Sequence, residues 1–453
     1  MNRIARRSIT ILVLAAVLLG GVGFFVAEYF LNAGSWAIHQ GSPHVYNGTN
    51  IGCGIVTDRD GTLLLDMNGG RVYAATQSLR ESTLHWLGDR YGYIDAPALP
   101  HYSKELAGYN SITGLYSYSG NGQAVLTLSA ALQEAALKAM GDYKGTVAIY
   151  NYKTGEILCA VSTPTYDPDA VPDIEGDTTG RYDGVYLNRF TQSVYIPGSI
   201  FKIVTTAAAL QEIDDIQEQT FECTGTYSYG VDAVTCEKVH GKLDFDSAMA
   251  QSCNCAYAAI IDQLGAETLE KYVQQYQVTQ RLSFDGITTA AGNFDVSGAA
   301  PVQVAWSGIG QHRDQINPAR FLTFMGAIAN GGVAVEPHIV SQISCGGSVT
   351  YSAKAVRSER IMPQSVAQEL QRMMRNNVIE KYGDENFTGF TVCAKSGTGQ
   401  VGGGKEPNAR FAGFLTDEEY PLAFLVAVED AGYGRRVCIP ILSAVLEECK
   451  EVI

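Results

Sequence analysis

The strand-like stretches of this 453-residue chain stand far apart, and that spacing restricts the fold more than any other feature. Gly145–Tyr150 and Glu156–Val161 read as two strands joined through Lys153-Thr154-Gly155. The next strand patterns come only near the end, at Thr391–Gln400, Ala409–Leu415 and Leu422–Glu429. Short apolar runs bounded by Gly, Pro or Asp carry the strand signal. From the Ser199 region to about Asn330, helical patterns dominate. Strands at both ends with helices inserted between them predict an α+β domain, one antiparallel sheet covered by helices plus a helical subdomain. A helix capped by Thr127 or Ser129 runs to Met140 with Leu132, Ala136, Leu137 and Met140 on one face. An amphipathic helix, Pro440–Glu451, closes the chain.

The N-terminus imposes a second constraint. Arg3, Arg6 and Arg7 precede an apolar run from about Ser8 to Ala27 that continues past Glu28 into Tyr29-Phe30-Leu31. It is long enough to cross a bilayer as a helix. Arginines before it and none just after predict a single-pass protein with a cytoplasmic N-terminus and the rest of the chain outside the cell membrane. The alternative is a cleaved signal peptide, but the run is longer than usual for one and no small-x-small site follows. We expect three parts: residues 1–31 as cytoplasmic tail and anchor, 32–123 as a small pedestal or linker domain, and 124–453 as the main domain. Within the pedestal, Gly54–Leu64 reads as a hairpin around an Asp-Gly turn. Ser82–Gly88 reads as a short helix ended by glycine, and Tyr109–Gln123 as a loop.

Hydrophobic residues make up 46% of the chain and charged residues 17%, a globular balance. The net charge of −15 leaves no basic patch to neutralise phosphates and argues against a nucleic-acid partner. The ten cysteines include no Cys-x-x-Cys pair, and the seven histidines no His-Glu-x-x-His pattern, so no metal and no cofactor are expected. Cys223 and Cys236 bracket a short polar segment and are the best candidates for a disulfide, with two free thiols the alternative. Cys253 and Cys255 flank Asn254 and read as packing residues.

Three polar groups interrupt otherwise apolar patterns. Tyr195-Ile196-Pro197-Gly198-Ser199-Ile200-Phe201-Lys202 opens an apolar helix, placing Ser199 and Lys202 at i and i+3 on one face. A serine needs a base within reach to become a nucleophile. A lysine on an apolar helix loses hydration, which favours its neutral, basic form. Taken alone, the pair is also compatible with an ordinary capped helix start. Ser252-Cys253-Asn254 breaks a helical pattern with residues that compete for backbone hydrogen bonds, which also suits a plain loop between helices. Ala394-Lys395-Ser396-Gly397-Thr398-Gly399-Gln400 leaves a strand with a cation, hydroxyls and glycine, a surface that a backbone and a carboxylate can approach closely. By itself it could equally be a Gly-rich turn.

Ser-x-x-Lys, Ser-x-Asn and Lys-Ser-Gly-Thr in that order form the motif set of β-lactamases and penicillin-binding proteins. The chain resembles a monofunctional, class B-type penicillin-binding protein, a D,D-transpeptidase of peptidoglycan synthesis. Further similarities are Leu126-Thr127-Leu128, Ser162–Pro168, Asn188-Arg189, His240-Gly241, Gly308-Ile309-Gly310-Gln311 and Asn330-Gly331-Gly332. Two departures stand out: Ser396 replaces the usual threonine but keeps the hydroxyl, and Gly402-Gly403-Gly404-Lys405 gives the following rim unusual flexibility. The resemblance implies the penicillin-binding/β-lactamase-like fold and names the parts of the site. Ser199 would be the nucleophile, Lys202 its base, Ser252 the proton relay and Asn254 a partner of Lys202 and donor peptide. Lys395 would be a further catalytic residue that supplies positive potential, and Ser396, Gly397 and Thr398 would bind substrate, with Ser396 and Thr398 contacting the terminal carboxylate. It also implies stem peptides ending in D-Ala-D-Ala as substrate, β-lactams as covalent inhibitors, and a glycosyltransferase of the cell-wall machinery as partner. A carboxypeptidase, a β-lactamase and a non-enzymatic sensor or scaffold share the motifs. No Glu-x-x-Leu-Asn segment of the β-lactamase kind follows Ser252.

Overall fold

The computed structural model describes residues 3–452 apart from 40, 43–44, 48–49, 111, 113, 116–121, 402–403 and 405. Of the expected flexible rim, only Gly404 falls within the described residues. Helix α1 (Arg3–Ala37) contains an 18-residue window of mean hydropathy 2.7 with no buried residue, long and apolar enough to cross a membrane. Only Ala33 and Gly34 near its end are buried.

Beyond α1, strands β1 (Ile55–Thr57) and β2 (Leu63–Asp66) pair antiparallel around the expected Asp-Gly turn, followed by β3 (Val72–Tyr73). The Asp58 carboxylate accepts the Asp60 and Thr62 N–H groups at 3.0 and 2.7 Å and closes that turn. Helix α2 (Gln77–Leu87) starts earlier than the sequence suggests and ends at Gly88, as expected. The Tyr109–Gln123 segment is less loop-like than its composition, since Tyr109–Asn110 pairs with Gly114–Leu115.

The chain continues with β4 (Gln123–Leu126) and α3 (Ala130–Met140), whose N-cap Ser129 accepts from Leu132 N–H. Next come β5 (Gly145–Asn151), β6 (Ile157–Thr163), α4 (Lys202–Glu212), α5 (Phe245–Ala250), α6 (Asn254–Gln275), α7 (Pro301–Gly308) and α8 (Pro318–Ala329). Strands β7 (Val340–Cys345) and β8 (Ser348–Ser352) precede α9 (Gln364–Asn377), β9 (Val392–Gly399), β10 (Asn408–Leu415), β11 (Leu422–Val428) and α10 (Gly434–Val452). Helix α10 begins six residues before Pro440, which sits inside it on an exposed side. An interior proline removes one helical hydrogen bond and its ring crowds the carbonyl four residues back, and on the exposed side water can reach that freed carbonyl.

The central sheet has the order β6-β5-β11-β10-β9, antiparallel throughout, so β5 and β11, which pair Asn151 with Leu422 and Gly145 with Val428, lie side by side although most of the domain's sequence separates them. Alternation along each strand sends Val147, Ile149, Phe424 and Val426 to one face, under α3 and α10. Ala148, Tyr150, Leu425 and Ala427 go to the other, where they meet α4 and α8. A second, six-stranded sheet has the order β8-β7-β4-β1-β2-β3. Strands β1–β3 therefore share a sheet with strands from residues 340–352, and β1 and β4 run parallel within it.

Candidate active site

Ser199 lies in one tight 3₁₀ turn, Gly198–Phe201, that runs directly into α4. The turn packs backbone to backbone against β9. Gly198 has φ +59° and a Cβ there would collide with the Thr398 carbonyl. A Cβ on Gly397 would lie 2.8 Å from the Pro197 carbonyl oxygen. The Gly198 N–H donates to the Gly310 carbonyl at 2.7 Å, and the Gln311 amide donates to the Thr398 carbonyl at 3.0 Å. The Gly308–Gln311 landmark thus braces both sides of the turn. Ser199 is partly exposed and its hydroxyl makes no hydrogen bond among the described residues.

Lys202 is fully buried, and its Nζ is turned toward the Ser252 loop rather than onto Ser199. It donates to the Ser252 carbonyl at 2.6 Å, the Ser252 hydroxyl at 3.2 Å and Asn254 Oδ1 at 2.8 Å. The Tyr257 ring lies 5.0 Å from the same Nζ. Lys395, equally buried, donates to the same Ser252 hydroxyl at 3.0 Å and to the Ser396 carbonyl at 3.0 Å. One hydroxyl therefore joins two lysines that enter from a helix and from a strand. Burial pushes Lys202 down to about 7, helped by the nearby Lys395 charge, and burial also pushes Lys395 down to about 7. Ser252 holds φ +54°, a left-handed conformation that costs energy for a residue with a Cβ and is common where function demands it. The Asn254 amide donates to the Thr235 carbonyl at 2.8 Å, which fixes its oxygen toward Lys202.

The sequence-predicted residues Ser199, Lys202, Ser252, Asn254, Lys395, Ser396, Gly397 and Thr398 all come together here. All but the two buried lysines line one cleft of about 590 Å³. Tyr382, Arg435 and Gln311 share that lining. Tyr382 went unnoticed in the sequence; its hydroxyl accepts the Ser396 N–H at 2.9 Å and lies 3.1 Å from Ser396 Oγ. Its motif-free position 14 residues upstream carries no signal. Tyr257, one turn after Asn254, could have been found by helical spacing. Cys223 and Cys236 are free thiols, so the disulfide expected as one alternative is not formed. Each sulfur instead faces His240 Nδ1, at 3.5 and 3.4 Å.

Comparison with known proteins accords with this geometry. The profile of the penicillin-binding protein transpeptidase domain matches residues 145–447, two-thirds of the chain. The chain belongs to that family. Peptidoglycan D,D-transpeptidase PbpA of Mycolicibacterium smegmatis is 28% identical over 351 residues, covering 69% of this chain and 68% of the relative. The penicillin G acyl-enzyme of penicillin-binding protein A from M. tuberculosis superposes with a TM-score of 0.74 at 22% identity, covering 88% of this chain and 99% of that one. A chain of a peptidoglycan synthase complex that coordinates polymerization and crosslinking gives 0.63 at 24% identity, covering 74% and 63%. The fold is that of the penicillin-binding transpeptidase domain, and the chain is a class B-type serine enzyme of that family.

Proposed function

We propose that this protein is a membrane-anchored D,D-transpeptidase that cross-links peptidoglycan stem peptides through an acyl-enzyme on Ser199. The observation that carries the reading is the Ser252 hydroxyl shared by Lys202 and Lys395 beside an unpartnered Ser199. Ser199 Oγ attacks the carbonyl carbon between the two terminal D-alanines, and its proton passes to neutral Lys202 Nζ. The backbone N–H groups of Ser199 and Thr398 hold the oxyanion. As the C–N bond breaks, Ser252 relays a proton from Lys202 to the departing D-alanine amine. Lys395 supplies positive potential for the terminal carboxylate, which Ser396 and Thr398 contact. The amine of a second stem peptide then attacks the ester and gives up a proton to Lys202, which returns one to Ser199 Oγ as the acyl–oxygen bond breaks and so releases Ser199 as a hydroxyl. A β-lactam presents the same carbonyl in a strained ring and stays on Ser199 as an ester.

Arginines before the apolar helix support an outside location for this domain. A polymerising glycosyltransferase is the partner suggested by the synthase complex of like fold. Intact-mass spectrometry with penicillin G tests the nucleophile: one adduct per chain is expected, absent in Ser199→Ala. An adduct that persists in Ser199→Ala refutes the assignment. Product analysis with a peptidoglycan donor and acceptor should yield cross-linked dimer; only trimmed monomer would make the enzyme a carboxypeptidase.

A further inference from the structure

Behind the Ser252-Cys253-Asn254 loop lies a group of four soft ligands that the reaction does not use. Cys223, Cys236, His240 and Cys253 place one ligand atom each within 4.8 Å of all the others. Cys223 ends the strand Thr220–Cys223, Cys236 follows the strand Asp232–Thr235, and His240 precedes the strand Gly241–Asp244. Cys253 is the N-cap of α6. Three chain segments thus converge on one point, with Cys223 and Cys253 buried and the other two half-buried.

The spacing is that of a tetrahedral ion. Zinc–sulfur bonds of about 2.3 Å and zinc–nitrogen bonds of about 2.0–2.1 Å put tetrahedral corners about 3.8 Å apart for two sulfurs and about 3.5 Å apart for sulfur and nitrogen. The Cys236 and Cys253 sulfurs are 3.9 Å apart, and His240 Nδ1 lies 3.4 Å from Cys236 Sγ and 3.5 Å from Cys223 Sγ. The cluster also has the surroundings that thiolates need. The Asn254 N–H points at Cys236 Sγ at 3.3 Å and the Ala256 N–H at Cys253 Sγ at 3.5 Å, both from the positive N-terminus of α6. Three thiols stacked against one imidazole with no disulfide between them have little other use for that donor set.

We propose that Cys223, Cys236, His240 and Cys253 bind one zinc ion in a closed, structural Cys₃His site that positions the Ser252-Cys253-Asn254 loop. Zinc binding releases the thiol protons to solvent and forms three Zn–S bonds and one Zn–N bond, with no redox change. The ion fixes Cys253, whose two neighbours both touch Lys202. It also fixes Cys236, next to Thr235, whose carbonyl holds the Asn254 amide. The positively strained Ser252 backbone is thereby clamped from the residue beside it. Metal binding stands on the cluster's own geometry; its effect on acylation rests on the transpeptidase reading.

The full-length protein, purified in detergent without chelator, should carry about one zinc per chain by elemental mass spectrometry. Replacement by Co(II) should give the intense visible bands of a tetrahedral ion with thiolate charge-transfer bands in the near ultraviolet. Cys236→Ser should lose the metal, whereas Cys159→Ser, a buried cysteine elsewhere, should keep it. Because Cys236→Ser could also misfold, His240→Cys serves as the second variant: it should still bind Co(II) tetrahedrally, with stronger thiolate bands. Removing zinc with a chelator should slow penicillin acylation by about 10–100-fold, with recovery on adding Zn(II) alone. Protein from zinc-supplemented cells that contains no zinc and shows three reactive thiols at Cys223, Cys236 and Cys253, or a Cys223–Cys236 disulfide, would overturn the proposal, as would an octahedral Co(II) spectrum. A zinc-loaded wild type that fails to acylate would refute the transpeptidase reading and leave the metal site standing.

Discussion

Lys202 and Lys395 both lie out of solvent with their Nζ atoms 3.2 and 3.0 Å from the same Ser252 oxygen. Burial penalises both charges and pushes each lysine down to about 7, and Lys202 also feels the charge of Lys395. Joined through one hydroxyl, the two lysines titrate as a pair near neutral pH, and the proposed mechanism uses the state in which Lys202 is neutral and Lys395 charged. The expected pH profile of penicillin acylation follows from that singly protonated state. Below about pH 7 the rate constant falls about tenfold per unit as Lys202 becomes charged; at higher pH it declines again as Lys395 is neutralised. Stopped-flow acylation between acidic and alkaline pH checks this, and a flat profile would remove Lys202 from the role of base. Residue types and their order made Ser199, Lys202, Ser252, Asn254 and Lys395 legible in the sequence. Their pairing came with the family resemblance, which implies Asn254 as a partner of Lys202; the residues alone suggested Ser199 and Lys202 on one α-helical face, whereas a 3₁₀ turn winds more tightly and Lys202 turns to Ser252 and Asn254. Tyr382 was illegible because its contribution is one hydroxyl delivered through folding to the Ser396 N–H.

At the scale of elements, the site depends on how closely β9 approaches the nucleophile turn. Gly397 faces the Pro197 carbonyl and the Ile200 N–H, where an added Cβ would sit 2.8 and 3.0 Å away. Neither neighbour is the end of a flexible side chain, so one backbone has to move. Gly397→Ala should cost about 1–3 kcal/mol of stability. It should also slow acylation far more than that loss explains, since the turn and Thr398 separate while Lys202, Ser252 and Asn254 keep their contacts. Thermal melting and acylation measured on the same preparation check it; wild-type kinetics would show that the close approach is unimportant. The central strands were readable to within a residue or two because Val, Ile and Phe continue through β5, β10 and β11, which are buried on both faces. The start of α10 was not, because Pro440 resembles a helix beginning and the preceding Gly434–Ile439 carries no cap signal. The thiol cluster was legible only as the neighbouring pair Cys223 and Cys236, for a related reason. Its ligands come from the edges of two hairpins and a helix start, so no short spacing motif joins them.

Over the whole molecule, the segment 32–123 and the domain that follows it are joined by more than one strand. β4 lies between β1 and β7, so the second sheet passes directly from pedestal strands to main-domain strands. Trp86 of α2 donates its indole N–H to the Ala160 carbonyl at 2.7 Å, and the Gln133 side chain of α3 donates to the Ser82 carbonyl at 2.8 Å. Arg80 pairs with Asp167 at 2.6 Å. Composition suggested a boundary here because Gly, Tyr and Asn become rarer after residue 123; pairing across that boundary is set by register, which composition does not encode. The helix α1 is different, since its apolar window has no buried residue. Two shortened chains should therefore behave oppositely. A chain beginning at residue 32 keeps Ala33 and Gly34 and should be detergent-free, monodisperse and acylated by penicillin at the full-length rate. A chain beginning at residue 124 loses β1–β3 and α2, leaving β4 as an open edge and uncovering the apolar side chains that packed on Trp86 and Leu65. It should elute as aggregate and take up little labelled penicillin. Size-exclusion chromatography with fluorescent-penicillin labelling distinguishes the outcomes, and full labelling of the 124–453 chain would mean that the pedestal is dispensable for the fold of the site.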